Sequence, residues 1–275
     1  MKLKASNASI FFPGEKNFAG ITDLCVAAHQ DDVEIMAYAP ISACFGKKCF
    51  GAVIMTDGAG SPRAGEFANF TDEEMKAVRA IEQEKAARIG DYRSVIQLGY
   101  SSADVKNGSN TDTVDDLVSL LSEIRPRRLY THNPADKHPT HVATSLRVIA
   151  AVKRLPKDLR PEVFVGLEVW RGLDWMCDAD KICLDTGAYP EIAARLLTVH
   201  RSQVAGGKRY DEAAIGRRAA NATFFESHAT DDLRSMNFGM DLLPLVERDV
   251  SPVEYVGEYI RRFAKEVYET VGKLM

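Results

Sequence analysis

The stretch Ala28-His29-Gln30-Asp31-Asp32-Val33-Glu34 decides the fold, because it joins an apolar run, Leu24–Ala28, to a helical pattern from Asp32 to Tyr38. The apolar run has the length of a buried strand. A histidine and two adjacent carboxylates therefore fall at the carboxyl end of a strand, where open α/β sheets place their chemistry. His29 and Asp32 can turn toward one point, while Asp31 between them points elsewhere. Imidazole and carboxylate are zinc ligands, but two are too few for a tight site.

A second cluster, Thr131 to His141, supplies further ligands. It contains three of the six histidines of the chain, His132, His138 and His141. It follows a strand-like run, Arg128–Thr131, and its last residue begins a helical pattern. A lone histidine is more often structural, but two such clusters at two strand ends favour a metal site.

At these residues the sequence resembles the LmbE-like (PIG-L) family of zinc-dependent de-N-acetylases. The family motifs read Ala-His-Pro-Asp-Asp-x-Glu and His-Pro-Asp-His. This chain departs from them at Gln30, where proline would have fixed the backbone φ angle, and at Thr140, where an aspartate is usual. The second departure removes a carboxylate beside the site, so a partner for a ligand is missing or supplied elsewhere. The resemblance covers about residues 22 to 205.

The resemblance implies a set of roles. His29, Asp32 and His141 would hold Zn²⁺, although imidazole and carboxylate also suit Fe²⁺. Asp31 would act as the general base, and His138 would stabilise the oxyanion or protonate the leaving amine. The implied substrate is an N-acetylated amino sugar of the N-acetylglucosamine type, free or as a conjugate.

Three further residues are predicted to bind the substrate. Asp57 lies in a glycine-rich loop after the second strand, whose spacing does not match a phosphate-binding loop. Arg79 belongs to an Arg-x-x-Glu segment like that of the family, and the alternative is an ion pair with Glu82 on a solvated helix face. Asp104 stands near the position where family members usually carry an acidic residue.

Composition restricts the class of protein. With 45% hydrophobic and 27% charged residues and a formal charge of −4, the chain fits a soluble globule that does not bind nucleic acid. No run approaches the ~18 apolar residues of a membrane helix. The five cysteines form no C-x-x-C pair, which favours reduced thiols in a cytoplasmic protein. The partners expected are a small-molecule substrate and, because family members often assemble, a second copy of the chain.

The alternation of strand-like and helix-like segments predicts a Rossmann-like α/β fold, with a mostly parallel sheet and helices on both faces. We expect one domain over residues 1–275, with a motif-bearing core at 22–205 and a C-terminal extension at 206–275. Residues 1–22 are expected to be irregular. The predicted strands are Leu24–Ala28, Phe50–Thr56, Ser94–Leu98, Arg128–Thr131 and Glu162–Trp170. The predicted helices are Asp32–Tyr38, Asp72–Ile89, Val114–Ile124, His141–Lys153 and Val253–Leu274.

Three other functions remain open. The first is a zinc amidase that cleaves a thiol conjugate or a non-sugar amide, and the second is a catalytically silent metal- or sugar-binding protein. The third is a nucleotide-binding enzyme, which leaves the histidine clusters unexplained. His200 begins a His-x-Ser-Gln element that resembles one in many family members, and the alternative, which we favour, is that it bonds backbone carbonyls at a helix end. Trp170 is expected to line a sugar-binding face or to pack in the core or at a subunit contact. His132 and His228 have no predicted role.

Overall fold

An eight-stranded sheet lies at the centre of the part of the chain that the computed structural model describes, residues 2–207, 209–226, 228–229 and 231–275. Its strands are β1 Ser9–Phe11, β2 Asp23–Ala27, β3 Phe50–Thr56, β4 Ser94–Tyr100, β5 Arg128–His132, β6 Val163–Leu167, β7 Ile182–Asp185 and β8 Met236–Asp241. The helices are α1 Asp32–Met36, α2 Tyr38–Cys44, α3 Asp72–Ile89, α4 Ser102–Lys106, α5 Asp112–Ile124, α6 Pro139–Arg154, α7 Pro190–Thr198, α8 Arg201–Val204, α9 Tyr210–Asn221, α10 Pro244–Glu247 and α11 Pro252–Leu274. Short 3₁₀ turns occur at Gly65–Phe67, Lys157–Leu159 and Asp178–Asp180.

The strand order is β1-β4-β3-β2-β5-β6-β8-β7. The five central strands, β4 to β6 in this order, are parallel, whereas β1 and β8 run antiparallel to their neighbours. From β2 the chain builds β3 and β4 on one side and then returns to build β5 and β6 on the other. The strand order therefore reverses between β2 and β5, and open α/β sheets bind ligands in the crevice at such a point.

The core lies on both faces of the sheet. Strands β2 and β3 are buried along their whole length, as parallel strands covered by helices must be. Alternate residues of β2 enter two separate apolar clusters: Leu24 and Val26 pack with α5, α6 and α11, and Cys25 and Ala27 pack with α1, α2 and α7. The predicted Rossmann-like α/β fold, with a mostly parallel sheet between helices, is confirmed.

Several local predictions were wrong. The lead-in contains β1, which pairs with β4 but is half-exposed, so its sequence lacks the apolar run of a buried strand. The helix predicted over Asp32–Tyr38 is two helices that meet at Ala37. The last predicted strand is shorter, Val163–Leu167, and β7 and β8 were not predicted. In contrast, α3 has the predicted bounds and the predicted capping box of Thr71 and Glu74.

Among the described residues, no helix combines the length and the apolar character that crossing a membrane requires. The five cysteines are all unpaired.

Candidate metal centre and active site

The two histidine clusters meet at the point where the strand order reverses. His29 follows β2, His132 ends β5, and His138 and His141 lie at the start of α6. Pro139 occupies the first position of α6, where its fixed φ favours the helix and its missing N–H is not needed. The first turn of α6 thereby brings His138 and His141 to the same edge of the sheet as His29.

Asp32 lies among three of these imidazoles. Its Oδ2 is 3.0 Å from His29 Nδ1 and 3.5 Å from His132 Nε2, and its Oδ1 is 3.4 Å from His141 Nε2. The His29 N–H also donates to Oδ2, at 2.8 Å. Burial alone would raise the pKa of Asp32, but His141, His132 and His29 outweigh it and hold this pKa well below the usual range. Asp32 is therefore a carboxylate.

Two overlapping sets of side chains bring their ligand atoms within 4.8 Å of one another. One consists of His29, His138 and His141, and the other of Asp32, His132 and His141. Of these residues, His132 is the least available to bind a metal, because its Nε2 already accepts a hydrogen bond from the Ala28 N–H at 2.9 Å. Burial and, to a smaller extent, the charge of the neighbouring His141 lower the pKa of His132 to about 4, so this ring is neutral.

Asp136 supports the second cluster from outside. It accepts the His138 N–H at 2.9 Å and the Trp170 N–H at 3.1 Å, and its Oδ2 is 3.6 Å from His141 Nδ1. Burial would raise the pKa of Asp136, but the contacts with His141 and His138 lower it to about 2. A carboxylate therefore stands beside His141 although Thr140 replaces the usual aspartate. The sequence analysis missed Asp136, although its position two residues before His138 indicated that it could support the second motif.

Asp31 is held by α3. Its N–H donates to Gln83 Oε1 at 3.3 Å, and its Oδ1 is 3.0 Å from Arg79 Nη2, which also donates to the Gln30 carbonyl. The φ angle of Asp31 is +98°, a strained value that persists only where surrounding contacts impose it. Burial raises the pKa of Asp31, and the charge of Arg79 opposes that rise.

Arg79 and Glu82 do not form the solvated ion pair that was the alternative. They are 1% and 5% exposed, respectively. Glu82 accepts the Ser202 N–H at 2.8 Å and the Ser202 hydroxyl at 2.6 Å. The two residues thus join α3 to different parts of the site.

Glu34 links α1 to a distant part of the chain. It is fully buried and accepts bonds from Gln83 Nε2 at 2.9 Å and Tyr92 OH at 2.7 Å. Its other oxygen is 3.0 Å from His200 Nε2. The prediction that His200 bonds helix-end carbonyls was therefore wrong. No local signal could reveal a pairing between residues 166 positions apart.

Gln30 shapes its loop by hydrogen bonds where the family has proline. Its side-chain amide donates to the Thr56 carbonyl at 3.1 Å and to Gln97 Oε1 at 3.2 Å. Gly58, whose φ is +78°, packs against this side chain, and a Cβ at Gly58 would lie 2.9 Å from Gln30 Oε1. Both the backbone conformation and the close approach require glycine there.

A cavity of about 380 Å³ opens above the cluster. Besides the histidines and aspartates of the centre, its lining includes Arg79, Gly58, Ser61, Ser102, Lys106, Trp170 and Tyr210. The ring centroids of Trp170 and His138 are 5.1 Å apart, in an edge-to-face arrangement. Of the three residues predicted to bind the substrate, Arg79 lines the cavity, whereas Asp57 and Asp104 do not.

Asp57 and Asp104 have other partners. Asp57 is 3.2 Å from Lys76 Nζ and accepts the Ala59 N–H. Asp104 accepts the Ser101 N–H and hydroxyl in a capping box that begins α4. Substrate contacts by Asp57 and Asp104 stay predictions. His228 is exposed and away from the centre.

This sheet, with a cluster of histidines and aspartates at its switch point, defines an α/β protein with a candidate metal centre. A model of the PIG-L family, GlcNAc-PI de-N-acetylase, matches residues 24–152, which include both clusters. This part of the chain is therefore similar to the PIG-L family, as the two motifs predicted. No curated protein is similar enough in sequence to count as a relative.

Solved structures share the fold at low sequence identity. An N,N′-diacetylchitobiose deacetylase from Pyrococcus horikoshii is 19% identical, with a TM-score of 0.64 over 84% of this chain and 87% of that one. GalB, the 4-carboxy-2-hydroxymuconate hydratase from Pseudomonas putida KT2440, is 16% identical, with a TM-score of 0.60 over 83% and 99%. The A40926 pseudoaglycone deacetylase Dbv21 is 14% identical, with a TM-score of 0.55 over 81% and 97%. Because one of the three is a hydratase, the shared fold does not by itself define the reaction.

Proposed function

We propose that this protein is a metal-dependent hydrolase that removes the acetyl group from an N-acetylated amino sugar or its conjugate. One observation carries the proposal: Asp32 lies 3.0 Å from His29 Nδ1 and 3.4 Å from His141 Nε2, and Asp31 and His138 line the same cavity as these three residues. Binding a metal would not require Asp31, whereas hydrolysis needs a group that accepts a proton from water. The match to the PIG-L family model and the two deacetylases that share the fold support this reaction.

The residues present fit a divalent metal ion. His29, Asp32 and His141 combine two imidazoles with one ionised carboxylate, and a nitrogen of each ring faces Asp32, His29 Nδ1 at 3.0 Å and His141 Nε2 at 3.4 Å. We favour these three over His132, because the lone pair of His132 Nε2 is engaged by a backbone N–H. Zinc is the metal we propose, with Fe²⁺ as the alternative. Once bound, such an ion acidifies water and polarises a carbonyl oxygen.

The protein's own groups would carry the protons. Asp31, whose pKa is raised by burial, is the more basic of the two adjacent carboxylates and accepts a proton from the attacking water. Arg79 and Gln83 fix its orientation. His138 lines the cavity, and burial, followed by the neighbouring histidines His141 and His29, lowers its pKa to about 4. Its neutral ring would donate a hydrogen bond to the oxygen of the tetrahedral intermediate, and the proton accepted by Asp31 would pass to the departing nitrogen. The products are acetate and a free amine on the sugar.

A second candidate is an amidase that acts on a non-sugar amide. One observation favours it: Asp57 and Asp104, which were predicted to bind the substrate, do not line the cavity, whereas the cation Lys106 does. A lysine at the mouth would suit an acidic substrate better than a neutral sugar. The proposed chemistry at Asp31 and His138 is the same for both candidates.

The test is acetate release by the zinc-loaded protein from N-acetylglucosamine, N,N′-diacetylchitobiose, an N-acetylglucosaminyl inositol and an N-acetylglucosaminyl malate. His141→Ala is the variant that should lose both metal and turnover, and the exposed Lys85→Ala, on α3, is the matched control. Release that vanishes only in His141→Ala supports the proposal. Stoichiometric zinc without release from any sugar would favour the amidase, and absence of bound metal would overturn both candidates.

A further inference from the structure

The C-terminal helix α11 extends beyond the body of the protein. Of its 23 residues only Tyr255 and Tyr259 are buried. Its contacts with the body include the Tyr255 hydroxyl on the Asp241 carbonyl and Arg262 Nε at 2.7 Å from Asp180. Every residue from 265 to 275 is exposed. The last turns therefore receive little support from the rest of the described chain.

An apolar strip runs along α11 next to these contacts, and one of its members, Phe263, packs edge-to-face against Trp175 of the body, with ring centroids 6.3 Å apart. We define it as Val253, Ile260, Phe263, Val267, Val271 and Leu274, all exposed; Leu274 is 84% exposed and Ile260 and Val271 are each 51% exposed. At 3.6 residues per turn, these six positions fall within an arc of roughly 80°. Their separations of three, four and seven residues match the seam of a helix that packs on another helix.

The charged residues of α11 lie away from the strip. Glu254, Glu258, Arg261, Lys265 and Glu269 recur on the opposite side at separations of three and four residues. The strip itself contains no polar side chain that water would have to solvate. Helices gain most of their stability in proteins from packing such an apolar face, so an uncovered strip over the projecting turns indicates a missing partner.

We propose that a second copy of this chain covers the strip, in a two-fold pair of α11 helices. Covering six side chains of this size buries on the order of 600 Å² of accessible surface on each copy, close to the ~800 Å² that each partner buries in a standard interface. A two-fold pair needs only one self-complementary surface, and an uncharged strip meets itself without repulsion. The four acidic and four basic residues of α11 cancel, whereas a helix bound to an anionic membrane is rich in lysine and arginine.

The test compares the full chain with two double variants by light scattering after gel filtration and by analytical ultracentrifugation. Val267→Glu with Val271→Glu changes the strip in the projecting turns, where a substitution cannot disturb the core. Lys265→Glu with Glu269→Lys changes the opposite side of the same turns and conserves net charge. Far-UV circular dichroism and thermal unfolding check that each variant is folded.

The wild type and the opposite-side variant are expected at twice the 30.4 kDa chain mass. The strip variant is expected as a monomer, with a dimer dissociation constant at least ~100-fold higher, because its carboxylates would be buried without partners. A monomeric wild type, or a strip variant that remains dimeric, would overturn the proposal. So would a monomeric wild type that sediments with vesicles of phosphatidylcholine and phosphatidylglycerol, since a membrane would then be the partner.

Discussion

Two neighbouring segments at the same edge of the sheet are held in different ways. We call them the β2 loop, residues 28–34, which includes the first turn of α1, and the β3 loop, residues 57–65. The β2 loop is held from a distance: Ala28 bonds to His132, Asp31 to Arg79, and Glu34 to a histidine 166 residues away. Almost all of it is buried.

The β3 loop is held mostly by its own neighbours. Asp57 accepts the Ala59 N–H. Arg63 donates to the carbonyls of Ala59, Ser61 and Phe70 and pairs with the exposed Asp72. Residues of this loop line the mouth of the cavity and are largely half-exposed.

The difference in support matches a difference in function between the two loops. Groups that must stand at fixed distances for chemistry need support from several elements, because an error of about 1 Å can cost on the order of 100-fold in rate. Groups at a cavity mouth can change with the substrate, because few other contacts depend on them. We therefore expect substitutions in the β2 loop and its supports to have far larger effects than substitutions in the β3 loop.

The largest effect is expected from Asp31→Asn. The amide keeps the shape of the side chain but cannot accept a proton from water, so kcat should fall by about 10²–10⁴-fold. Metal content, measured by atomic absorption, should match that of the wild type. Near-normal turnover with metal bound would remove Asp31 from the role of base.

Arg79→Met is expected to have the next largest effect, a loss in the free energy of unfolding. This change leaves the Gln30 carbonyl and the Asp31 carboxylate without their partner, and breaking a buried ion pair typically costs ~3–5 kcal/mol in the free energy of unfolding. Denaturant unfolding should record this loss. Lys85→Met, on the exposed side of the same helix, should change stability by less than ~0.5 kcal/mol. Equal effects of the two substitutions would contradict the importance of the buried pair.

The smallest effect is expected from Asp57→Asn in the β3 loop. Its partner Lys76 is about one-third exposed, and pairs near the surface contribute less than ~1 kcal/mol. The asparagine oxygen can still accept the Ala59 N–H, so kcat/KM for the best substrate should change only a few-fold. A loss of kcat/KM as large as that of Asp31→Asn would place Asp57 in the catalytic site and erase the contrast between the loops.

The parts that could be predicted from sequence are those with local signals. The strand-to-helix transition at His29–Asp32 and the His138-x-x-His141 spacing predict where ligands gather, because secondary structure fixes their direction. The role of Asp104 also had a local signal, since Ser101 three residues earlier forms a capping-box pattern. Reading that pattern would have indicated a helix cap.

The rest depends on contacts between distant segments. Nothing near Arg79 in the sequence says that it reaches Asp31, 48 positions away, and His200 likewise has its partner on α1. The short antiparallel strands at the edges, β1 and β7, are only partly buried. Without a continuous apolar run, their sequences do not differ from those of loops.

The hydrogen bond from the Ala28 N–H to His132 joins residues 104 positions apart and has a consequence for the growing chain. When the first motif emerges during synthesis, neither His132 nor His200 has been made, so the motif cannot adopt its final geometry. Closing so long a loop costs entropy before any contact compensates it. The centre should therefore assemble late in folding, when both halves of the sheet are in place, and an incomplete chain would carry the motif without a formed centre.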